Sequence, residues 1–324
     1  MISSKKRFSN RLLVICGPTS TGKTSLALKV AKKYNGQLVS ADSRQVYKNL
    51  NIGTGKDLPK NAKLKLKNLL PNYYEVEGVI IWGYDLVDSN KEFSVGHYIK
   101  FATKVVKNIW KDGGLPILVG GTGLYIRGII DGIGTADIPQ NKALRKVYAD
   151  KNADELFDVL AQLDSSKAAS LNSSDKKNPR RLIRAIEVAS FHKHKKPSKL
   201  PIDDMLMIGL RTTQDELAKR VGKRVDVRMR HGFLYEVENL IVRKVKWSSQ
   251  SMQAFGYKQA RDLLDGKINT KTFVEKWKAS ERNYSKRQLL WFSKDARINW
   301  FDVSKRDYPQ NVFVQIREWI NKGS

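Results

Sequence analysis

The sequence predicts an α/β protein, a parallel sheet with flanking helices, extended by a small helical insertion and a helical C-terminal region. Three observations carry that prediction. An apolar run, Leu12-Leu13-Val14-Ile15-Cys16, leads through a glycine-bounded loop into residues 25–33, which have helical spacing. Two more apolar runs of strand length, Leu115-Pro116-Ile117-Leu118-Val119 and Met205-Leu206-Met207-Ile208-Gly209-Leu210, alternate with helical stretches, as in sheets built from strand–helix–strand units. From Gln214 onward everything reads as helix, with breaks near Gly232, Trp247 to Ser251 and Gly266.

The first loop is the most informative stretch. Gly17-Pro18-Thr19-Ser20-Thr21-Gly22-Lys23-Thr24 matches G-x-x-x-x-G-K-[ST] and has a strand before it and a helix after it, the full context of a phosphate-binding P-loop. Glycines let the backbone curl so that successive N–H groups point inward, and the helix N-terminus adds partial positive charge. Lys23 supplies a full charge for phosphate oxygens, and Thr24 the hydroxyl that holds Mg²⁺ in such loops. The fold expected is therefore P-loop NTPase-like.

The next strand is Gly36-Gln37-Leu38-Val39-Ser40, followed by Ala41-Asp42. Ligands of open α/β sheets lie outside the carboxyl ends of strands, so Asp42 is expected to face the phosphate site. It has two readings: the cap of a helix beginning near Ser43, or a carboxylate placed to accept a proton from an attacking group. Residues 56–67 are lysine-rich and read as a solvated loop or surface helix, with nucleic-acid contact as the alternative. Residues 74–81 read as a strand or hairpin. Over 93–110 the spacing predicts a helix burying Phe93, Tyr98, Phe101, Val105, Ile109 and Trp110. The strand at 115–119 runs into Gly120-Gly121-Thr122-Gly123.

Residues 141–163 and 164–171 read as the helical insertion, and Pro179 opens an arginine-rich helix. The basic stretch His192-Lys193-His194-Lys195-Lys196-Pro197 reads as a loop with solvated histidines, not metal ligands. The organisation expected is a P-loop core over 1–135, the insertion over 136–200, and a last strand with C-terminal helices over 201–324.

Composition narrows the function. The 324 residues carry 60 Lys and Arg against 32 Asp and Glu, a net charge of +28, whose natural reading is a polyanionic partner, the alternative being a proteome or solvent adaptation that makes every protein basic. Between Lys176 and Arg230 there are 16 basic and 6 acidic residues. Arg180, Arg181 and Arg184 are close on one helix, and Arg282-Asn283-Tyr284-Ser285-Lys286-Arg287-Gln288 mixes cations with an aromatic, a combination suited to phosphate contact and base stacking. The single cysteine, Cys16, excludes disulfides and cysteine-based zinc sites. No signal-like or membrane-length apolar run is present, so a cytoplasmic protein without a membrane partner is expected. A Walker B carboxylate is missing. The strand at 115–119 ends in glycines, and Val79-Ile80-Ile81 reaches Asp85 only after three more residues, which argues against a motor or switch NTPase.

Six ordered stretches resemble one family, the tRNA dimethylallyltransferases (tRNA isopentenyltransferases) of bacterial type. They are the P-loop; Ser40 to Tyr47 with Asn51 to Lys56; Gly120 to Tyr125; Asn178 to Val188; Met252-Gln253-Ala254-Phe255-Gly256-Tyr257-Lys258; and Lys286 to Phe292. The resemblance runs nearly end to end. It departs at Ile81-Trp82, where members usually carry a His-His pair.

The resemblance implies transfer of a dimethylallyl group from dimethylallyl diphosphate to the exocyclic amine of the adenosine 3′ of the anticodon. It implies Asp42 as general base, with Arg224 and Thr122 also catalytic. The diphosphate is then held by Gly17, Pro18, Thr19, Ser20, Thr21, Gly22, Lys23 and Thr24 with Mg²⁺. The tRNA anticodon stem-loop would meet Asp42, Ser43, Arg44, Gln45, Thr122, Arg180, Arg181, Arg184, Gln253, Gly256, Tyr257, Lys258, Arg282, Lys286, Arg287 and Gln288, on an enzyme acting as a monomer. Two other readings stay open on residues alone: a small-molecule P-loop kinase, and a non-catalytic RNA-binding P-loop protein.

Overall fold

The computed structural model describes residues 8–59, 62, 64–67, 70–191 and 199–322. The chain divides into two compact units, Met1–Ile130 with Leu200–Ser324, and Asp131–Lys199. The loop read at 192–197 lies outside the described residues, as do parts of the lysine-rich stretch at 56–67.

The first unit begins with β1 (Arg11–Cys16), α1 (Lys23–Tyr34), β2 (Gly36–Ser40), β3 (Leu64–Lys67), β4 (Leu70–Val76), β5 (Val79–Trp82), α2 (Val95–Lys111), β6 (Leu115–Gly120) and α3 (Gly123–Ile130). The second unit holds α4 (Lys142–Val147), α5 (Ala153–Leu163), α6 (Ser165–Ala169), α7 (Ser173–Lys176) and α8 (Pro179–Ala189). The first unit resumes with β7 (Asp204–Arg211), α9 (Gln214–Arg230), α10 (Phe233–Val242), α11 (Tyr257–Leu264), α12 (Thr270–Phe292), β8 (Ile298–Asp302) and α13 (Gln310–Lys322).

The sheet order is β3-β4-β5-β2-β6-β1-β7-β8. The six strands from β5 to β8 run parallel, as expected, while β3 and β4 add an antiparallel edge. Thus 74–81 is the hairpin of the two readings, turning at Glu77 and Gly78, both with positive φ. The expectation that β7 is the last strand and that only helix follows is corrected. β8 pairs in parallel along β7, from Met207–Ile298 to Arg211–Asp302. Its sequence, Ile-Asn-Trp-Phe-Asp, is short and mostly half-buried, so it has the weak apolar signal of an edge strand.

Side chains of β1 alternate between two cores, as the two-residue strand period requires. Leu12, Val14 and Cys16 face the core built with Tyr98, Val105 and Ile109 of α2. Leu13 and Ile15 face the one built with Leu26, Ala27 and Val30 of α1 and with Val312 and Ile316 of α13. Past the buried Arg11 at its start, β1 carries no polar side chain, which is why 12–16 was readable as an unbroken apolar run. In the second unit Leu156, Leu160, Leu182 and Ile186 form a separate small core between α5 and α8.

The helix at 93–110 starts two residues later than its apolar pattern. Ser94 caps it, accepting from the His97 N–H, and Phe93 stays outside, half-buried with Phe101.

Candidate active site

Four strands deliver the site at their carboxyl ends: the P-loop after β1, Asp42 after β2, Tyr84 after β5, and Gly120-Gly121 at the end of β6. With α9 and α12 they enclose a cavity of about 320 Å³. Its lining carries the cations Lys23, Arg44, Arg224, Arg228 and Arg287, the carboxylates of Asp42 and Glu281, and the rings of Tyr84, Phe255 and Tyr284.

The P-loop is held open by its own conformation and by distant residues. Gly17 has φ +127°, and a Cβ there would lie 2.3 Å from the Leu210 carbonyl oxygen, so no other residue fits. The backbone N–H of Thr19 donates to Gln288 Oε1 at 2.9 Å, and Gln288 Nε2 donates to the Gly121 carbonyl at 2.9 Å. Arg224 Nη1 donates to Thr19 Oγ1 at 3.1 Å. Lys23 Nζ donates to the Pro18 carbonyl. Burial of its ammonium and the nearby Arg224 guanidinium bring the Lys23 pKa down to about 8, with Asp42 opposing the shift. Ser20 Oγ is buried with no hydrogen-bond partner.

Asp42 caps no helix, because 43–46 is a turn. Its Oδ1 accepts from the Arg44 N–H at 2.8 Å, which orients the carboxylate at the cavity wall. Thr122 stands behind this wall. Its Oγ1 accepts from the Ser43 N–H at 3.0 Å, and its own N–H donates to Ala41 at 3.0 Å. It also shares a hydrogen bond with the Tyr284 hydroxyl, whose pKa burial pushes up to about 12.

Two buried networks shape the loop over 47–57, and neither was read from the sequence. Glu236 of α10 accepts the backbone N–H groups of Asn51, Ile52 and Gly53 at 2.7, 2.8 and 3.0 Å, and the Tyr257 hydroxyl. Lys56, expected on a solvated surface, is instead buried, donating to Asp85, to Asn51 Oδ1 and to the Tyr47 carbonyl. Burial lowers its pKa while Asp85 opposes that shift. Asp85 also accepts from the Tyr74 hydroxyl at 2.6 Å, so the one acid near a Walker B position is spent on structure.

The residues expected to meet RNA divide. Arg44, Ser43 and Arg287 line the cavity, with Arg287 5.7 Å over the Tyr284 ring. Lys258 and Lys286 are exposed, and Arg282 is half-buried. Four others are buried, Gln45 and Gln288 on the cavity lining. Tyr257 is fully buried against Phe233, and Gly256 packs its backbone on Trp277 and Phe233. Gln45 and Gln288 spend their amides inside, Gln45 on the carbonyl of Gly55 at 3.0 Å. Gln253 is half-buried and donates to the Trp247 carbonyl at 2.8 Å. In the second unit Arg180 is exposed, Arg181 pairs with Asp175, and Arg184 donates to the carbonyls of Thr135 and Ile138 at 2.8 Å each.

The family profile described as IPP transferase matches residues 45–295. The chain belongs to the IPP transferase family. It is 35% identical over 322 residues to the tRNA dimethylallyltransferase of Halothermothrix orenii, covering 96% of this chain and 92% of that one. The full-length tRNA isopentenylpyrophosphate transferase of Bacillus halodurans superposes with TM-score 0.69 at 32% identity, over 97% of this chain and 98% of that one. A eukaryotic dimethylallyltransferase solved acting on tRNA shares the fold at TM-score 0.77 and 23% identity, over 97% and 80% of the two chains. The P-loop NTPase-like fold expected from the sequence is thus the fold of this IPP transferase. Among its described residues no helix is long and apolar enough to cross a membrane.

Proposed function

We propose that this IPP transferase moves a dimethylallyl group from dimethylallyl diphosphate to N6 of the adenosine 3′ of the anticodon in tRNA, releasing diphosphate. The observation that carries the reading is that a phosphate cradle and the Asp42 carboxylate line one cavity. Lys23 and Arg224, with the loop's N–H groups, neutralise the leaving diphosphate, and Asp42 faces the space beside it.

An adenine amine is a weak nucleophile because its lone pair is delocalised into the ring. As N6 bonds to the prenyl C1, the C1–O bond breaks and its electron pair leaves with the diphosphate. Asp42 takes the proton that N6 sheds. The target base has to leave its stack to enter, and Phe255 and Tyr284, with ring centroids 5.0 Å apart, supply aromatic faces on the cavity wall. The exposed cations Lys258, Lys286 and Arg287 suit the phosphates of the anticodon stem-loop, and in the second unit Arg180 is an exposed cation of the same kind.

Among the described residues no three His, Cys, Asp or Glu form a metal cage. The Thr24 hydroxyl on the cavity lining is an oxygen donor of the kind that suits Mg²⁺, which is held largely by substrate phosphates and water. Thr24 is the protein group that would hold it, and the ion would add charge neutralisation to the leaving group. A monomer in the cytoplasm completes the reading.

The test is incubation with unmodified tRNA, dimethylallyl diphosphate and Mg²⁺, followed by nucleoside analysis. Prenylated adenosine from wild type, and its loss in Asp42→Asn with diphosphate binding retained, is the expected result. No product from wild type overturns the reading, and ATP consumption in its place would mark a kinase.

A further inference from the structure

Beyond the P-loop cations, α9 sends a second arginine into the same cavity. Arg224 and Arg228 are one helical turn apart and share a face. Both reach Gly55. A Cβ on that glycine would lie 2.2 Å from Arg224 Nη2 and 2.3 Å from Arg228 Nη2, so the two nitrogens are no more than about 4.5 Å apart, the sum of those distances. Two guanidiniums at that range repel, and Arg228 is only 5% exposed. Burial and the neighbouring Arg224 both lower its pKa.

The compensation is incomplete. Arg228 Nη1 donates to Glu281 Oε1 at 2.9 Å, and Trp277 Nε1 donates to the same oxygen at 3.3 Å. Arg228 Nε is buried with no hydrogen-bond partner. Arg224 pairs with Asp57, whose side chain is 68% exposed and therefore a screened partner. Buried cations are retained where charge and geometry complete them, and here one guanidinium donor is left over beside a second positive group.

We propose that Arg228 is a further diphosphate-binding residue, forming with Arg224 a double guanidinium that receives the phosphate end opposite Lys23. Glu281 is the carboxylate that holds it in place while the cavity is empty. The inference rests on the reading of this cavity as a diphosphate site. It assigns the anion a fork of two planar donors in addition to the P-loop, a geometry suited to the paired oxygens of a diphosphate. Arg228 then distinguishes a diphosphate, which spans both the loop and the fork, from a monophosphate, which does not.

The test uses the full chain with inorganic diphosphate and Mg²⁺, by titration calorimetry, with inorganic phosphate as the comparison. Arg228→Met should weaken diphosphate binding about tenfold or more while leaving phosphate binding little changed. It also strands Glu281, so a second variant, Arg228→Met with Glu281→Gln, removes both charges and keeps the experiment readable if the single variant fails to fold. The double variant should melt close to wild type and bind diphosphate as weakly as the single one. Wild-type affinity in the double variant would overturn the inference, because Arg228 would then serve only to neutralise Glu281. Failure of wild type itself to bind diphosphate removes the cavity reading, and this inference with it.

Discussion

Arg224 Nη1 donates to Thr19 Oγ1 at 3.1 Å, tying the middle of α9 to the phosphate loop 205 residues earlier. The loop's glycines and helix start set its curvature, and this bond sets where its open side faces. A charge-assisted hydrogen bond of this kind contributes about 1.5–3 kcal/mol. Arg224→Met is therefore expected to raise the KM for dimethylallyl diphosphate about ten- to a hundredfold. The tRNA KM should move little, and steady-state kinetics with each substrate varied in turn checks both.

Lys23 gives a pH dependence with a definite sign. Its pKa in the free protein is about 8, against 10.5 when unperturbed. The ammonium proposed to pair with diphosphate is present below that value and lost above it. Diphosphate affinity is expected to hold steady up to pH ~8 and then to fall up to about tenfold per unit. Stability of the empty protein moves the other way. A basic group with a depressed native pKa costs most at low pH, so its contribution improves as pH rises from about 8 to 10.5. Calorimetric titrations across this range, with Lys23→Met as the pH-flat control, check the first part.

Glu236 is expected to be a sensitive position outside the cavity. Replacing it with Ala orphans three backbone N–H groups and the Tyr257 hydroxyl. The expected loss is about 2–3 kcal/mol, since buried donors without partners cost about 1–3 kcal/mol each and the loop can partly relax. Melting should drop by ~5–10 °C, and activity should fall with it because Gly53, Thr54 and Gly55 line the site.

The Lys56–Asp85 pair makes a second stability prediction. Lys56→Met leaves Asp85 buried beside Tyr74 without its cation, a change expected to cost about 3–5 kcal/mol. Adding Asp85→Asn should recover much of that, because the amide oxygen still accepts from Tyr74. Denaturant unfolding of the two variants separates a lost pair from a lost shape.

What could be read in the sequence was local. The run 12–16, the eight residues after it and Asp42 just past a strand end are contiguous signals, and all three stand where that reading put them. Such features depend only on the period of a strand and the chemistry of a glycine turn. The features that were missed join residues far apart in the chain. Glu236 reads as one more acid on a helix until Asn51, Ile52 and Gly53 are seen to lie against it. Lys56 reads as solvated among other lysines until Asp85 and the Tyr47 carbonyl are brought around it. Tyr257, Gly256, Gln45 and Gln288 belong to motifs whose residues touch one another, and nothing in a motif says which members face outward. β8 was missed for a different reason: an edge strand buries too little to print an apolar pattern.

Gln288 has a consequence for how the protein comes into being. Its amide spans from the Thr19 N–H to the Gly121 carbonyl, so the opening of the site is braced by a residue translated long after everything it braces. A chain still emerging from the ribosome can build β1, the loop and α1, yet lacks the strut that aligns them. Substrate capture should therefore switch on late in synthesis, and partial products carrying an intact phosphate motif should not sequester prenyl diphosphate in the cell.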